Sequence, residues 1–124
     1  MTEARARRGT AARRSGRAAE VFCALWLMLK GYRLLGFRLR TPMGEIDILA
    51  ARGGTIAVIE VKRRTDLAAA LDAVTWRQRE RLRRAAESII SRRPGFQDAE
   101  IRLDLIALAP GRWPRHIRDA WRGD

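Results

Sequence analysis

The chain is 124 residues long, and 26 Lys+Arg against 14 Asp+Glu leave a formal net charge of +12 at pH 7. That length holds one domain, and hydrophobic residues at 47% supply a core, which excludes general disorder. The charge excludes a preference for basic partners and points to a polyanion, nucleic acid first and an anionic membrane surface second.

Residues 1–14 are rich in Arg and Ala with a single acid, Glu3, and read as a flexible basic arm. The composition is also that of a transit peptide, but Arg13-Arg14-Ser15-Gly16-Arg17 runs on into a helix with no cleavage-like break. Residues 17–30 follow a helical pattern that is apolar nearly all round from Val21, which predicts a largely buried helix capped by Gly31. Its apolar run, 21–29, falls far short of the roughly 20 residues that span a bilayer. A cytoplasmic chain without a membrane partner is therefore expected, and the lone Cys23 fits a buried thiol in a reducing compartment. Strands follow at 32–40, 45–51 and 55–62, the last two joined by Arg52-Gly53-Gly54 as a hairpin. An Ala/Leu-rich connection after Asp66 has no clear periodicity. Thr75-Trp76-Arg77-Gln78 matches a capping box, and Leu82, Ala85, Ala86, Ile89 and Ile90 continue at helical spacing until Pro94-Gly95. A strand at Glu100–Leu108 and an ambiguous tail at 113–121 complete the chain. The order α-β-β-β-α-β predicts a single mixed α/β domain over residues 15–124, a mixed sheet flanked by helices.

The hairpin concentrates the chemistry. A two-residue Gly53-Gly54 turn places Arg52 opposite Thr55, and the same register places Asp47 opposite Glu60 and Glu45 opposite Lys62. Strict alternation then sets these four side chains on one face, and Ile46, Ile48, Ile59 and Val61 on the other. Two facing carboxylates repel unless something neutralises them, and a divalent cation does so. Mg²⁺ (or Mn²⁺) takes oxygen ligands from one or two carboxylates, so Asp47 and Glu60 are the expected metal ligands, with the Val61 carbonyl as an additional donor. Lys62 points the same way and suits activation of a water or stabilisation of a phosphoryl oxygen. In a chain with 24 arginines and only Lys30 beside it, this lysine suggests a need for a compact ammonium.

Gly44-Glu45-Ile46-Asp47 followed by Ile59-Glu60-Val61-Lys62-Arg63-Arg64 resembles the YraN-like family of small bacterial proteins. The resemblance includes Arg14-Ser15-Gly16-Arg17-Ala18-Ala19-Glu20, the stretch from Val74-Thr75 to Leu82, Arg102-Leu103-Asp104 and His116-Ile117…Ala120-Trp121. It implies a restriction-endonuclease-like domain of the PD-(D/E)xK kind, with Asp47, Glu60 and Lys62 as the nuclease signature. It further implies that Glu20 on the first helix joins the catalytic group and that Gln78 projects toward it from the second. The sequence departs from the pattern in having Ile46 before the acid, Gln78 for a lysine, and Arg63 after Lys62. Gln78 has its first role as the capping-box partner. Resolvase-like relatives pair, so a homodimer is implied by analogy.

Arg77, Arg79, Arg81, Arg83 and Arg84, with Arg63, Arg64, Arg17 and the arm, make an expected phosphate-binding surface. His116 is expected to be structural, and Trp76, Trp113 and Trp121 to pack in the core or at its rim. Two functional classes follow: a Mg²⁺-dependent nuclease acting on DNA in preference to RNA, and a catalytically silent nucleic-acid-binding module on the same fold.

Overall fold

The first helix ends because Gly31 takes a left-handed backbone, φ 94°. Its N–H then donates to the Met28 carbonyl at 3.0 Å, and the Tyr32 N–H reaches back to that of Leu27 at 3.0 Å. The computed structural model describes residues 3–122, with side chains from Gly16 onward. Helix α1 spans Glu3–Leu29, so it begins well before the Arg17 boundary expected from the pattern. The arm is helical from Glu3, as the strong helix propensity of Ala and Arg allows.

Strands β1 (Arg33–Thr41), β2 (Gly44–Arg52) and β3 (Thr55–Arg63) form an antiparallel meander. The chain then crosses through α2 (Leu67–Asp72) and α3 (Trp76–Ser91) to β4 (Glu100–Leu108), which pairs parallel to β3. A short β5 (Arg115–Ile117) closes a five-stranded sheet in the order β1-β2-β3-β4-β5. The α-β-β-β-α-β reading thus holds, with α2 and β5 filling the two stretches that the sequence pattern left open. Asp66 caps α2 by accepting from the Ala69 N–H, and Thr75 caps α3 in the expected capping box.

The sheet has a core on each face. Helix α3 lays Leu82, Ala85, Ala86 and Ile90 against Ile46, Leu49, Ile56 and Val58. Helix α1 lays Cys23, Ala24 and Leu27 against Ile48, Ala50, Ala57 and Ile59. Only that one stripe of α1 meets the sheet, so the expectation of a largely buried helix is corrected: Val21, Phe22, Leu25, Met28 and Leu29 are exposed. Trp76 and Trp113 are exposed too, although Trp113 meets the Phe22 ring edge-on at 5.6 Å. Trp121 packs as expected and donates its Nε1 hydrogen to the Leu71 carbonyl at 3.1 Å.

Ile46 and Ile48 are two residues apart on one strand, yet they belong to opposite cores. Leu39 and Phe37, their partners on β1, divide in the same way. The strict alternation expected for the hairpin therefore breaks between them. The cause is Arg38, which takes a left-handed φ of 51° and lies across from Asp47, reversing the pleat of the paired strands there. A non-glycine residue in this region costs on the order of 1–3 kcal/mol, so its surroundings must hold it.

Candidate active site

Asp47 occupies the reversal. The β2–β3 register is the expected one from Arg52↔Thr55 to Ile48↔Ile59, and the ladder stops one residue short of Asp47 and Glu60. In place of the missing main-chain bond, the Asp47 Oδ2 accepts the Val61 N–H at 2.9 Å. A side chain thus spans the opening between the strands, and Val61, whose carbonyl is the expected further ligand, meets Asp47 through its N–H. The Asp47 and Glu60 carboxyls are in contact at this point. Glu60 is only 8% exposed, and its Oε1 is buried without a hydrogen-bond donor.

Burial, and then the neighbouring Asp47 charge, push the Glu60 carboxyl up to about 8, against the pull of Lys62. Burial also raises Asp47, while the Val61 N–H and Lys62 oppose the rise. Two buried carboxyls that press on each other, with one oxygen left bare, call for a shared proton or a cation. Lys62, two residues along β3 from Glu60, pulls both acids downward by its charge.

Glu20 approaches from α1. Its Oε2 meets Arg38 Nε at 2.9 Å, and the same Nε lies 3.9 Å from Glu45 Oε1. Burial and then Asp47 raise the Glu20 carboxyl, with Arg38 opposing. Glu20 is therefore near the pair but engaged with an arginine. Among the described residues no three His, Cys, Asp or Glu side chains gather as a metal-ligand set. Two carboxylates do, and a hard divalent ion that keeps several waters needs no more than one or two. The bare Glu60 oxygen and the repelling pair thus fit such an ion.

Gln78 remains in its capping box, its Oε1 accepting the Thr75 N–H at 3.0 Å and its own N–H donating to Thr75 Oγ1 at 3.1 Å. Its described bonds hold the start of α3 and do not run to the carboxyls. Arg17, Arg63, Arg64, Arg77 and Arg81 are all exposed. Arg63 lines an open cleft of about 340 Å³ with Ala19, Phe22, Leu108, Pro110 and Arg112. None of Glu20, Asp47, Glu60 and Lys62 lines this cleft, although Ala19 and Arg63 are chain neighbours of two of them.

A second polar cluster lies at the other end of α1. Asp104 is fully buried on β4. Arg102 donates to both its oxygens at 2.8 Å, and the Asp119 N–H donates to Oδ1 at 2.9 Å. His116 Nε2 lies 2.8 Å from Oδ2, and its Nδ1 lies 2.8 Å from Lys30 Nζ. Arg102 also reaches the Tyr32 hydroxyl at 2.8 Å. Burial presses Asp104 upward, but its bonds from His116 and Arg102 hold it below the usual carboxylate range. The cluster ties β5 and the tail to β4 and α1. His116 is thus structural, as expected.

Arg38 is the residue that sequence reasoning missed. An arginine inside a strand pattern gives no sign of a left-handed backbone, and its partner Glu20 lies on another element.

No helix among the described residues is long and apolar enough to cross a membrane. Residues 19–108 match the uncharacterised protein family UPF0102, and the chain belongs to it. It is 68% identical over 92% of its length to a UPF0102 protein of Caulobacter sp. (strain K31), covering 82% of that protein. Against the UPF0102 protein of Caulobacter vibrioides (strain NA1000 / CB15N) it is 66% identical, with 94% and 93% of the two chains covered. Against that of Parvibaculum lavamentivorans the identity is 49%, over 92% and 86%.

Proposed function

We propose, for this member of the UPF0102 family, a Mg²⁺-dependent nuclease-like activity of the PD-(D/E)xK kind that hydrolyses phosphodiester bonds. Its substrate class is nucleic acid, DNA with branched or single-stranded features ahead of RNA. The observation that carries the reading is the buried contact of Asp47 with Glu60 at the point where β2 and β3 part, with Lys62 two residues along β3 from Glu60. Stability alone gives no reason to bury two carboxyls that repel once both are ionised.

Asp47 and Glu60 would hold the ion, and Mn²⁺ suits the same oxygens. A bound divalent ion supplies a Lewis acid and lowers the pKa of its water. The chain's own residues do the rest. The Val61 N–H fixes the Asp47 carboxylate in place. Lys62 orients the attacking water or neutralises charge gathering on the phosphoryl oxygens. Arg63 and Arg112 line the cleft through which a phosphodiester strand approaches.

The test compares cleavage of branched, single- and double-stranded substrates with Mg²⁺ or Mn²⁺. Asp47→Asn should abolish cleavage and leave binding intact or tighter, because the substitution removes a ligand and also a charge that repels phosphate. Lys62→Ala should keep metal binding and lose cleavage. Wild type as inert as Asp47→Asn on every substrate would favour the silent binding module. The engagement of Glu20 by Arg38 is the specific observation on that side.

A further inference from the structure

We propose that Arg38 is the resident counter-ion of the carboxyl site: it holds Glu20 while no divalent ion is bound, and turns to a substrate phosphate once one is. The inference rests on the metal-site reading above and adds a regulator to it.

The geometry is specific. Arg38 keeps a left-handed φ of 51° in the middle of a strand, where neither a turn nor a glycine explains it. The conformation sends its side chain to Glu20 at 2.9 Å on α1, with Glu45 of β2 at 3.9 Å from the same nitrogen. The meeting atoms, Arg38 Nε and Glu20 Oε2, are buried at ion-pair distance without the alignment of a hydrogen bond, and the Arg38 side chain as a whole is 36% exposed. The guanidinium is therefore held by charge at its inner nitrogen, not locked by a hydrogen bond, and part of it reaches solvent.

Charge decides what this arrangement does. Glu20, Glu45, Asp47 and Glu60 are four acids acting on one another, against Arg38 and Lys62 as the cations facing them. Without a metal, Arg38 is the charge that keeps Glu20 near Asp47. With a divalent ion held by Asp47 and Glu60, Arg38 would no longer be needed as the counter-ion of Glu20, and Glu20 would turn from the guanidinium toward the ion. Arg38 would then be a planar, permanently charged donor without an acid, and phosphate is the ligand its fork fits. Two linked effects follow: Arg38 competes with the metal for Glu20, and it couples metal binding to polyanion binding.

Calorimetric titration of Mn²⁺ and oligonucleotide affinity, read with and without Ca²⁺ so that the strand stays intact, test both effects. Arg38→Asn suits the purpose because Asn accepts a left-handed backbone. It should bind Mn²⁺ about tenfold more tightly than wild type, and the wild-type gain in oligonucleotide affinity on adding Ca²⁺, about fivefold, should vanish. Glu20→Gln approaches from the other partner and should bind oligonucleotide without needing the metal. The metal-induced rise in Tm, measured on each variant, repeats the comparison without a substrate. Wild-type Mn²⁺ binding that needs Asp47, with unchanged or weaker affinity in Arg38→Asn, overturns the counter-ion and leaves the metal site standing. Absence of Mn²⁺ binding in wild type, or binding undiminished in Asp47→Asn, overturns the metal site and the counter-ion with it.

Discussion

Glu60 keeps its proton through neutral pH because burial and the Asp47 charge hold its pKa at about 8, against 4.5 for the free side chain. Between those values the folded chain binds a proton that the unfolded chain has released. Stability should therefore fall as pH rises from about 4.5 to about 8, by up to about 1.4 kcal/mol per pH unit, with the full cost present above the upper value. Glu60→Gln should flatten that slope, which urea unfolding at a series of pH values reads directly. A flat wild-type profile would contradict the carboxyl contact. Asp104 has the opposite sign. Its carboxyl lies below the ordinary value, so it stabilises the fold above that value and ceases to do so as pH falls. Asp104→Asn leaves Arg102 and His116 around an uncharged amide, and should cost about 3 kcal/mol at neutral pH in the same unfolding experiment. Arg102-Leu103-Asp104 and His116 could be read as recurring motifs from the sequence, but their work is to fasten β5 and the tail.

At the scale of elements, the α3 cap separates two roles proposed for one side chain. Gln78 and Thr75 exchange the reciprocal bonds of a capping box. Gln78→Ala should cost up to about 1 kcal/mol of stability and leave Mn²⁺ affinity unchanged. A loss of metal affinity in calorimetry would show that the side chain leaves the cap to serve the carboxyls. The cap, the Gly53-Gly54 hairpin and β4 were legible because each is set by neighbours in the chain: a hydroxyl three residues from an amide, a two-residue turn, an alternating run. The pleat reversal was not legible. It depends on Arg38 meeting Glu20 across α1 and β1, and no local pattern records a contact between elements. The same reversal moves Ile46 to the α3 core and opens the strands at Asp47, so strict alternation brought Asp47 and Glu60 together by the wrong geometry. The outer face of α1 failed for a related reason. An all-round apolar helix reads as buried, but the sheet buries the Cys23, Ala24 and Leu27 stripe, with Trp26 partly covered beside it, and leaves the outer face open.

For the molecule as a whole, the net charge of +12 sets the terms on which any polyanion binds. Arg17, Arg63, Arg64, Arg77 and Arg81 are exposed and spread over α1, β3, the segment after it and α3. Charges on both layers that flank the sheet suit a backbone of repeating charge more than a single base edge, so affinity should depend little on sequence. Each phosphate neutralised on a duplex releases about 0.9 counterion, so five such contacts give a slope of about −4.5 in log affinity against log salt. Raising salt from about 50 to about 200 mM should then weaken binding roughly 500-fold. Arg64→Ala should weaken binding alike on unrelated sequences and make the slope shallower by about 0.9 on a duplex, or about 0.7 on a single strand. Fluorescence anisotropy on labelled oligonucleotides at four or five salt concentrations reads both quantities. A flat titration, or no binding at low salt, would mean that these arginines face only solvent. The Asp47–Glu60 pair would then need a small phosphorylated ligand in place of a nucleic acid, because a polyanion cannot be held beside buried acids without the cations that neutralise its neighbouring phosphates.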